Sequence, residues 1–219
     1  MPALKAVLFD NDGTLVDTHD LLLESFRHAT RQVLGKDIPE KTLMAKVGQP
    51  LVVQMWDFTD DEEEHDELVR VYRAFNQRIH DERIALFPGT REALDRLRDA
   101  GLVLGVVTSK MAPLAQRGLE VLGVADCFEC LIGADDCERH KPDPDPVVLG
   151  ARRLGVDPQN CFYVGDSPFD MQAGRAAGMR TAAVLWGMFD EETLRAESPD
   201  AVCTRFDELA DLLLTQMGE

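Results

Sequence analysis

Positive charge is scarce in this sequence: 23 Lys plus Arg stand against 40 Asp plus Glu in 219 residues, a formal net charge of −17. Surfaces that hold nucleic acid neutralise phosphates with Lys and Arg, so this balance argues against an extended polyanion as partner, and equally against an anionic membrane. Long apolar runs are also missing. The longest, such as Leu102 to Val107, fall far short of the roughly 20 residues that a membrane-spanning helix requires. A basic-then-apolar leader is absent from the N-terminus, and the expectation is a soluble, cytoplasmic protein. The five cysteines, at 127, 130, 137, 161 and 203, are an odd set in a chain long enough to bury a core without cross-links, and they read as reduced thiols. There are no internal repeats and no low-complexity tracts.

What is present is a recurring unit. Ala3 to Phe9 is a mostly apolar run that ends abruptly in Asp-Asn-Asp-Gly-Thr, the pattern of a buried strand with polar residues at its carboxyl end. Similar runs are Leu102 to Val107 before Thr-Ser-Lys, Phe128 to Ile132 before Gly-Ala-Asp-Asp, Phe162 to Val164 before Gly-Asp-Ser, Thr181 to Leu185, and Ala201 to Cys203. Helical spacing fills the intervals at Thr90 to Ala100, Pro113 to Leu122, Pro146 to Leu154 and Asp170 to Ala177, with glycines at 101, 123, 155 and 178 just past each end. Strand alternating with helix at this spacing predicts an α/β protein with a parallel sheet covered on both faces. The polar strand ends would then gather in the crevice outside the carboxyl edge.

Residues 19–83 break the rhythm. Helical spacing is evident from Leu21 to Ala29, Pro39 to Val47, Leu51 to Phe58 and Asp61 to His80, and no strand is evident. The chain thus divides into a core of residues 1–18 and 84–219 and an all-helical cap of residues 19–83 seated over the crevice. The acidic stretch from Asp57 to Glu67 reads as a solvated helix start, where carboxylates suit the positive end of the dipole.

Asp10 and Asp12 stand two apart at the end of the first strand, followed by Gly13 and Thr14, and other strand ends contribute Thr108, Lys141, Asp166 and Asp170. Four carboxylates in one crevice repel one another unless a cation is present, and hard oxygen donors of this kind suit Mg²⁺.

In these residues the chain resembles the haloacid dehalogenase superfamily of phosphotransferases, in particular its phosphoglycolate phosphatase-like branch. Four motifs carry the likeness, in order: Asp10-Asn-Asp12-Gly-Thr14-Leu, Val-Val-Thr108-Ser, Lys141-Pro-Asp-Pro and Gly165-Asp166-Ser-Pro-Phe-Asp170. The resemblance implies a Rossmann-like core and a helical cap. It implies Asp10 as nucleophile forming an aspartyl phosphate, and Asp12 as general acid and then base. Mg²⁺ would be held by Asp10, the main-chain carbonyl of Asp12 and the carboxylate of Asp166, with Asp170 in support. Thr108 and Lys141 would hold the phosphoryl oxygens. Thr14, Ser109, Lys110, the Gly48-Gln49-Pro50 turn, Asn76 and His80 are expected near the substrate. Asn11 departs from an apolar position in the family, and Ser109 from a common Asn; both are expected to matter little.

The implied function is Mg²⁺-dependent hydrolysis of a small phosphorylated metabolite, with phosphoglycolate as first candidate. Inorganic pyrophosphate is the runner-up, because Tyr72-Arg73-x-Phe75-Asn76 with His80-Asp81-Glu82, Thr108-Ser-Lys110 and Arg117-Gly-Leu is similar to bacterial members that hydrolyse it. A β-phosphoglucomutase-type mutase shares the framework but commonly has Val where this chain has Thr14. A phosphoaccepting receiver module also places Asp, Thr and Lys at strand ends, yet is about half as long and needs neither the cap nor Asp12. Cys127, Cys130, Cys137 and His140 have the spacing of zinc ligands, but the first two would point to opposite faces of a strand, and they read as ordinary thiols. Trp56 is expected to pack inside the cap.

Overall fold

The computed structural model describes residues 3–218. Six strands form a parallel sheet: β1 (Ala6–Phe9), β4 (Val103–Val107), β5 (Cys130–Ile132), β6 (Cys161–Gly165), β7 (Arg180–Val184) and β8 (Ala201–Cys203), in the order β5-β4-β1-β6-β7-β8. The first strand lies at the centre, pairing Ala6 with both Val103 and Cys161. Its alternation sets the two layers. Val7 and Phe9 enter one apolar cluster with Leu94 and Leu97 of α5 (Thr90–Asp99), Leu119 of α6 (Ala112–Val121) and Phe206, Leu209 and Leu213 of α10 (Phe206–Thr215). Ala6 and Leu8 enter the other, with Val147 and Ala151 of α7 (Asp145–Leu154) and Ala173 of α8 (Pro168–Ala176). A strand buried on both sides must be apolar at every position, and for this reason it reads as a continuous run.

The expected strands are all present, although the first is shorter than Ala3 to Phe9. Leu4 donates its amide to the Gln216 carbonyl, and Lys5 donates to the Asn160 carbonyl and accepts from the Val103 amide just ahead of β1. The helices Glu191–Ala196 and Phe206–Thr215 and one small ribbon lie outside the expectations. The chain leaves and re-enters the core through an antiparallel ribbon of β2 (Val16–Asp17) and β3 (Ala85–Leu86).

Between those strands lie α1 (His19–Leu34), α2 (Glu40–Leu43), α3 (Leu51–Gln54) and α4 (Glu62–Ile79). They enclose an apolar cluster of their own around Phe26, Leu43, Met55, Leu68 and Tyr72. Asp61 accepts the amide of Glu64 at 2.9 Å and three glutamates occupy the first turn of α4, so the acidic stretch is a helix start as expected. The helices expected over Pro39 to Val47 and Leu51 to Phe58 are shorter. The first stops at Leu43 and passes into turns over 44–46; Gly48, with φ of +102°, and Gln49, which precedes a proline, bar its resumption. The second tightens into a 3₁₀ turn at Met55–Asp57. Trp56 is not core: it is 46% exposed and stacks on His65 with ring centroids 4.0 Å apart.

Candidate active site

The carboxyl ends of β1, β4 and β6 converge on one crevice, and the local backbone explains why. Asn11 turns the chain sharply after β1, its carbonyl accepting the amides of Leu15 and Val16 at 3.0 and 2.9 Å. This keeps Asp10 and Asp12 at the sheet edge. Asp166 follows β6 directly, and Asp170 sits in the first turn of α8, where a reciprocal cap joins it to Ser167.

Asp10, Asp166 and Asp170 are buried, and one carboxylate oxygen from each lies within 4.8 Å of the others. Each is held differently. Asp170 is fully engaged: Oδ2 accepts the Ser167 amide and hydroxyl at 3.1 and 2.6 Å, and Oδ1 lies 2.6 Å from Lys141 Nζ and 3.1 Å from the Tyr163 hydroxyl. Asp166 accepts one bond on each oxygen, from Thr14 Oγ1 at 3.0 Å and from the Met188 amide at 2.8 Å, which leaves each oxygen a free lone pair. Lys141 Nζ is 3.0 Å from Asp10 Oδ1. That oxygen is buried without a hydrogen bond of its own.

The backbone closes tightly around Asp166. A Cβ at Gly13 or at Gly187 would sit 2.3 Å from an Asp166 side-chain atom, and Gly13 has φ of +83° besides. Only glycine lets two chain segments approach the carboxylate this closely.

Burial drives the electrostatics. It pushes the Asp166 carboxyl up to about 7, helped by the charge of Asp170. It likewise raises Asp10 well above the carboxylate range, with Asp170, Asp166 and Asp12 adding repulsion that Lys141 only partly offsets. At Lys141 burial works against the charge, but Asp10 and Asp170 overcome it and hold the ammonium above its ordinary value. Asp12 behaves oppositely to Asp10. Burial would raise it, yet Lys110, with Nζ 2.8 Å from Asp12 Oδ1, holds it low.

A hard divalent cation fits this donor set. It would lie against Asp10 and Asp166, one with a buried oxygen that accepts no hydrogen bond and meets only the Lys141 ammonium, the other with free lone pairs, and would relieve the repulsion that raises both. A testable sign follows. A carboxyl whose folded-state pKa lies above its ordinary 3.8 binds more protons folded than unfolded, so the contribution of Asp166 to stability falls as pH rises from about 4 to about 7. Stabilisation by Mg²⁺ over EDTA, read as the difference in Tm, should therefore widen from about pH 5 to about pH 7.5. A difference that is constant across this range contradicts the assignment.

Above the carboxylates lies a cavity of about 670 Å³. Asp10, Asp12, Thr108, Ser109 and Lys110 line it from the sheet, and Gly48, Gln49 and Asn76 from the helical segment, together with Tyr72, which also belongs to the apolar cluster there. Asn76 Nδ2 donates to Ser25 Oγ at 3.1 Å, which ties it to α1. The Ser109 hydroxyl donates to the Gly48 carbonyl at 2.6 Å, so it fastens the helical segment to the core. Two expectations need correction. Thr14 is fully buried and spends its hydroxyl on Asp166, supporting a carboxylate where a substrate contact was expected. His80 is 1% exposed and does not line the cavity; it packs near Gly118 with Nδ1 2.8 Å from Asp81.

Cys127 is buried in the core and Cys130 packs near Gly105, while His140 lines the cavity. Among the described residues, the one group of three or more potential metal ligands within reach of a single ion is the aspartate set. Sequence reasoning did not single out Gln54, which lines the cavity, and quoted Arg73 and Arg117 only as parts of motifs. The Met188 contact runs through a backbone amide, which no pattern of side chains reveals.

The parallel sheet thus carries paired aspartates at the end of its central strand and a buried acidic cluster beside them. The chain belongs to the haloacid dehalogenase-like hydrolase family, whose model matches residues 7–184. It is 36% identical over 204 residues to the pyrophosphatase PpaX of Bacillus velezensis, covering 93% of this chain and 94% of that protein. Among solved structures it is similar to one described as a predicted phosphoglycolate phosphatase from Haemophilus somnus, with a TM-score of 0.89 at 25% identity over 97% of this chain and 99% of that one. A haloacid dehalogenase-like family hydrolase from Streptococcus pneumoniae gives a TM-score of 0.87 at 25% identity, with coverage of 97% and 99%. No helix among the described residues is long and apolar enough to cross a membrane.

Proposed function

We propose that this chain is a Mg²⁺-dependent phosphohydrolase that works through an aspartyl phosphate on Asp10, with inorganic pyrophosphate as its substrate. One observation carries the choice of an anionic leaving group. In a protein of net charge −17 the cavity is lined by Lys110, whose Nζ lies 2.8 Å from Asp12, by Arg73, and by Arg117, which is 2.7 Å from Asp81. Cations there match a leaving group that is itself an anion. Among such substrates the PpaX relative, at 36% identity over nearly its whole length, supports pyrophosphate.

In this reading an Asp10 oxygen attacks phosphorus in line, the bridging P–O bond breaks and the first phosphate departs. Water then attacks the phosphorus of the acyl phosphate, releasing the second phosphate and restoring Asp10. Asp12 passes a proton to the leaving oxygen and later takes one from water. Phosphate is a weak base compared with an alkoxide, so the charge of Lys110 can do much of what a proton would do. The Thr108 hydroxyl accepts the Lys110 amide at 3.2 Å, which aims its own proton elsewhere, toward a phosphoryl oxygen. Lys141 orients Asp10 and meets a second phosphoryl oxygen. Asp10, Asp166 and the Asp12 carbonyl would hold Mg²⁺, whose charge lets an anionic nucleophile approach an anionic phosphate. Residues 19–83 form the cap that carries Gly48, Gln49 and Asn76 to the leaving group, and residues 1–18 and 84–219 the catalytic core. We place the enzyme in the reducing cytoplasm, a setting supported by five free cysteines, of which Cys161 and Cys203 are raised to about 12 by burial.

Phosphoglycolate is the second reading. Its leaving group is also anionic, and the Haemophilus somnus structure favours it. Specificity constants measured with Mg²⁺ for pyrophosphate, phosphoglycolate and glucose 6-phosphate separate the two. The expected order puts pyrophosphate first by at least about 10-fold, a difference worth about 1.4 kcal/mol in the transition state. Equal or greater efficiency on phosphoglycolate overturns the choice, and highest efficiency on the hexose phosphate overturns the argument from charge.

A further inference from the structure

Asp166 is oriented by a loop that also touches the helical segment. After β7 the backbone runs through Leu185-Trp-Gly-Met-Phe189. One end of this loop is fixed to the core: the Leu185 amide donates to Cys203 at 2.9 Å, and the Trp186 indole donates to the Thr14 carbonyl at 2.9 Å while its ring packs on Phe206 with centroids 4.5 Å apart. Gly187 then passes directly against the Asp166 side chain. The next residue does two things. The Met188 amide donates to Asp166 Oδ2 at 2.8 Å, and the Met188 side chain leaves the core to pack on the apolar cluster of the helical segment. Among the described residues, it is the one member of that cluster from outside residues 21–72.

We propose that Met188 is a positioning residue that couples docking of the helical segment to the divalent-cation affinity of Asp166. The proposal rests on Asp166 being a ligand of that cation. With the segment docked as observed, its apolar cluster grips the Met188 side chain and keeps the amide on Oδ2, while Thr14 holds Oδ1. The carboxylate is then fixed from both sides, with a lone pair on each oxygen free for the metal. When the segment swings away the grip is lost, the 187–189 backbone relaxes, and Asp166 gains rotational freedom that metal binding must remove. Hydrogen-bond partners of ligating groups typically tune metal affinity by 10–100-fold. Coupling of this kind is reciprocal, so the cation must favour the docked segment by the same factor.

The test uses the full chain. Mg²⁺ binding is measured by calorimetry for the wild type, Met188→Ala, Met188→Gln and Met188→Leu, together with hydrogen exchange across residues 47–72 with and without Mg²⁺. Met188 is only half-buried and its amide survives every substitution, so the variants are expected to fold; Met188→Gln keeps the length and removes only the apolar grip. The expected result is a loss of Mg²⁺ affinity on the order of 10-fold in Met188→Ala and Met188→Gln, with recovery in Met188→Leu. Mg²⁺ should slow exchange in the helical segment of the wild type and of Met188→Leu but not of the other two. Unchanged affinity in Met188→Ala and Met188→Gln, or Mg²⁺ protection that survives in them, overturns the coupling. A wild type that binds no Mg²⁺ overturns instead the functional reading on which it rests.

Discussion

Asp10→Asn should lower kcat by about 10⁵-fold or more on every phosphate substrate, because it removes the nucleophile and not a contact that other groups can replace. The amide is nearly isosteric, so the loss is expected without unfolding. Stability should move the other way. Asp10 is a buried carboxylate whose Oδ1 has no hydrogen bond and whose pKa is raised by burial and by three neighbouring aspartates. Neutralising it removes repulsion, and Asp170 remains to pair with Lys141 at 2.6 Å. The metal-free variant should therefore melt no lower than the wild type at neutral pH. An inactive variant that is also strongly destabilised would point to a structural role for Asp10, and an active one would remove it from the mechanism.

Lys141→Met is expected to damage both activity and stability. The Lys141 side chain is 1% exposed, with its ammonium 3.0 Å from Asp10 and 2.6 Å from Asp170. Methionine fills similar volume but leaves two buried carboxylates uncompensated, a loss of about 3–5 kcal/mol. In a chain of this length that corresponds to a fall in Tm of roughly 10 °C. The sign with pH is defined. Burial already raises Asp10 with Lys141 in place and raises it further without that charge, so the folded form binds more protons than the unfolded, and stability recovers as pH falls. Thermal unfolding in EDTA should show a smaller deficit near pH 5 than near pH 8, while turnover stays at least about 10³-fold down for want of the phosphoryl contact. A deficit that grows on acidification would mean that Lys141 acts by packing and not by charge.

How much of this was legible in the sequence follows from how local each signal is. Val7 and Phe9 on one face, and Ala6 and Leu8 on the other, make a strand apolar at every position, so β1 and its neighbours stood out, as did the polar residues at their carboxyl ends. Asp10, Asp12, Thr108 and Asp166 could be gathered in advance because a parallel sheet brings strand ends to one edge, whereas Lys141, nine residues past β5, and Asp170, in the first turn of α8, were placed by the resemblance of their motifs. The β2–β3 ribbon could not. Two residues per strand carry no periodicity, and their pairing spans the whole helical segment. Trp56 and His80 misled for the opposite reason: an aromatic ring reads as core and a histidine near a site reads as a ligand, whereas tertiary packing leaves one stacked on the surface and buries the other. Thr14 was expected beside the substrate, but it spends its hydroxyl on Asp166, a partner distant in sequence.

The most direct test of the central claim is mass analysis of the Asp12→Asn variant after exposure to Mg²⁺ and pyrophosphate. Without Asp12 to activate water, attack by Asp10 on pyrophosphate can still expel a phosphate stabilised by Lys110, but hydrolysis of the acyl phosphate stalls. The account predicts one phosphoryl group on the peptide carrying Asp10, absent when Asp10 is also changed to Asn. A phosphoryl group on any other residue, or full turnover by Asp12→Asn with none trapped, would contradict it.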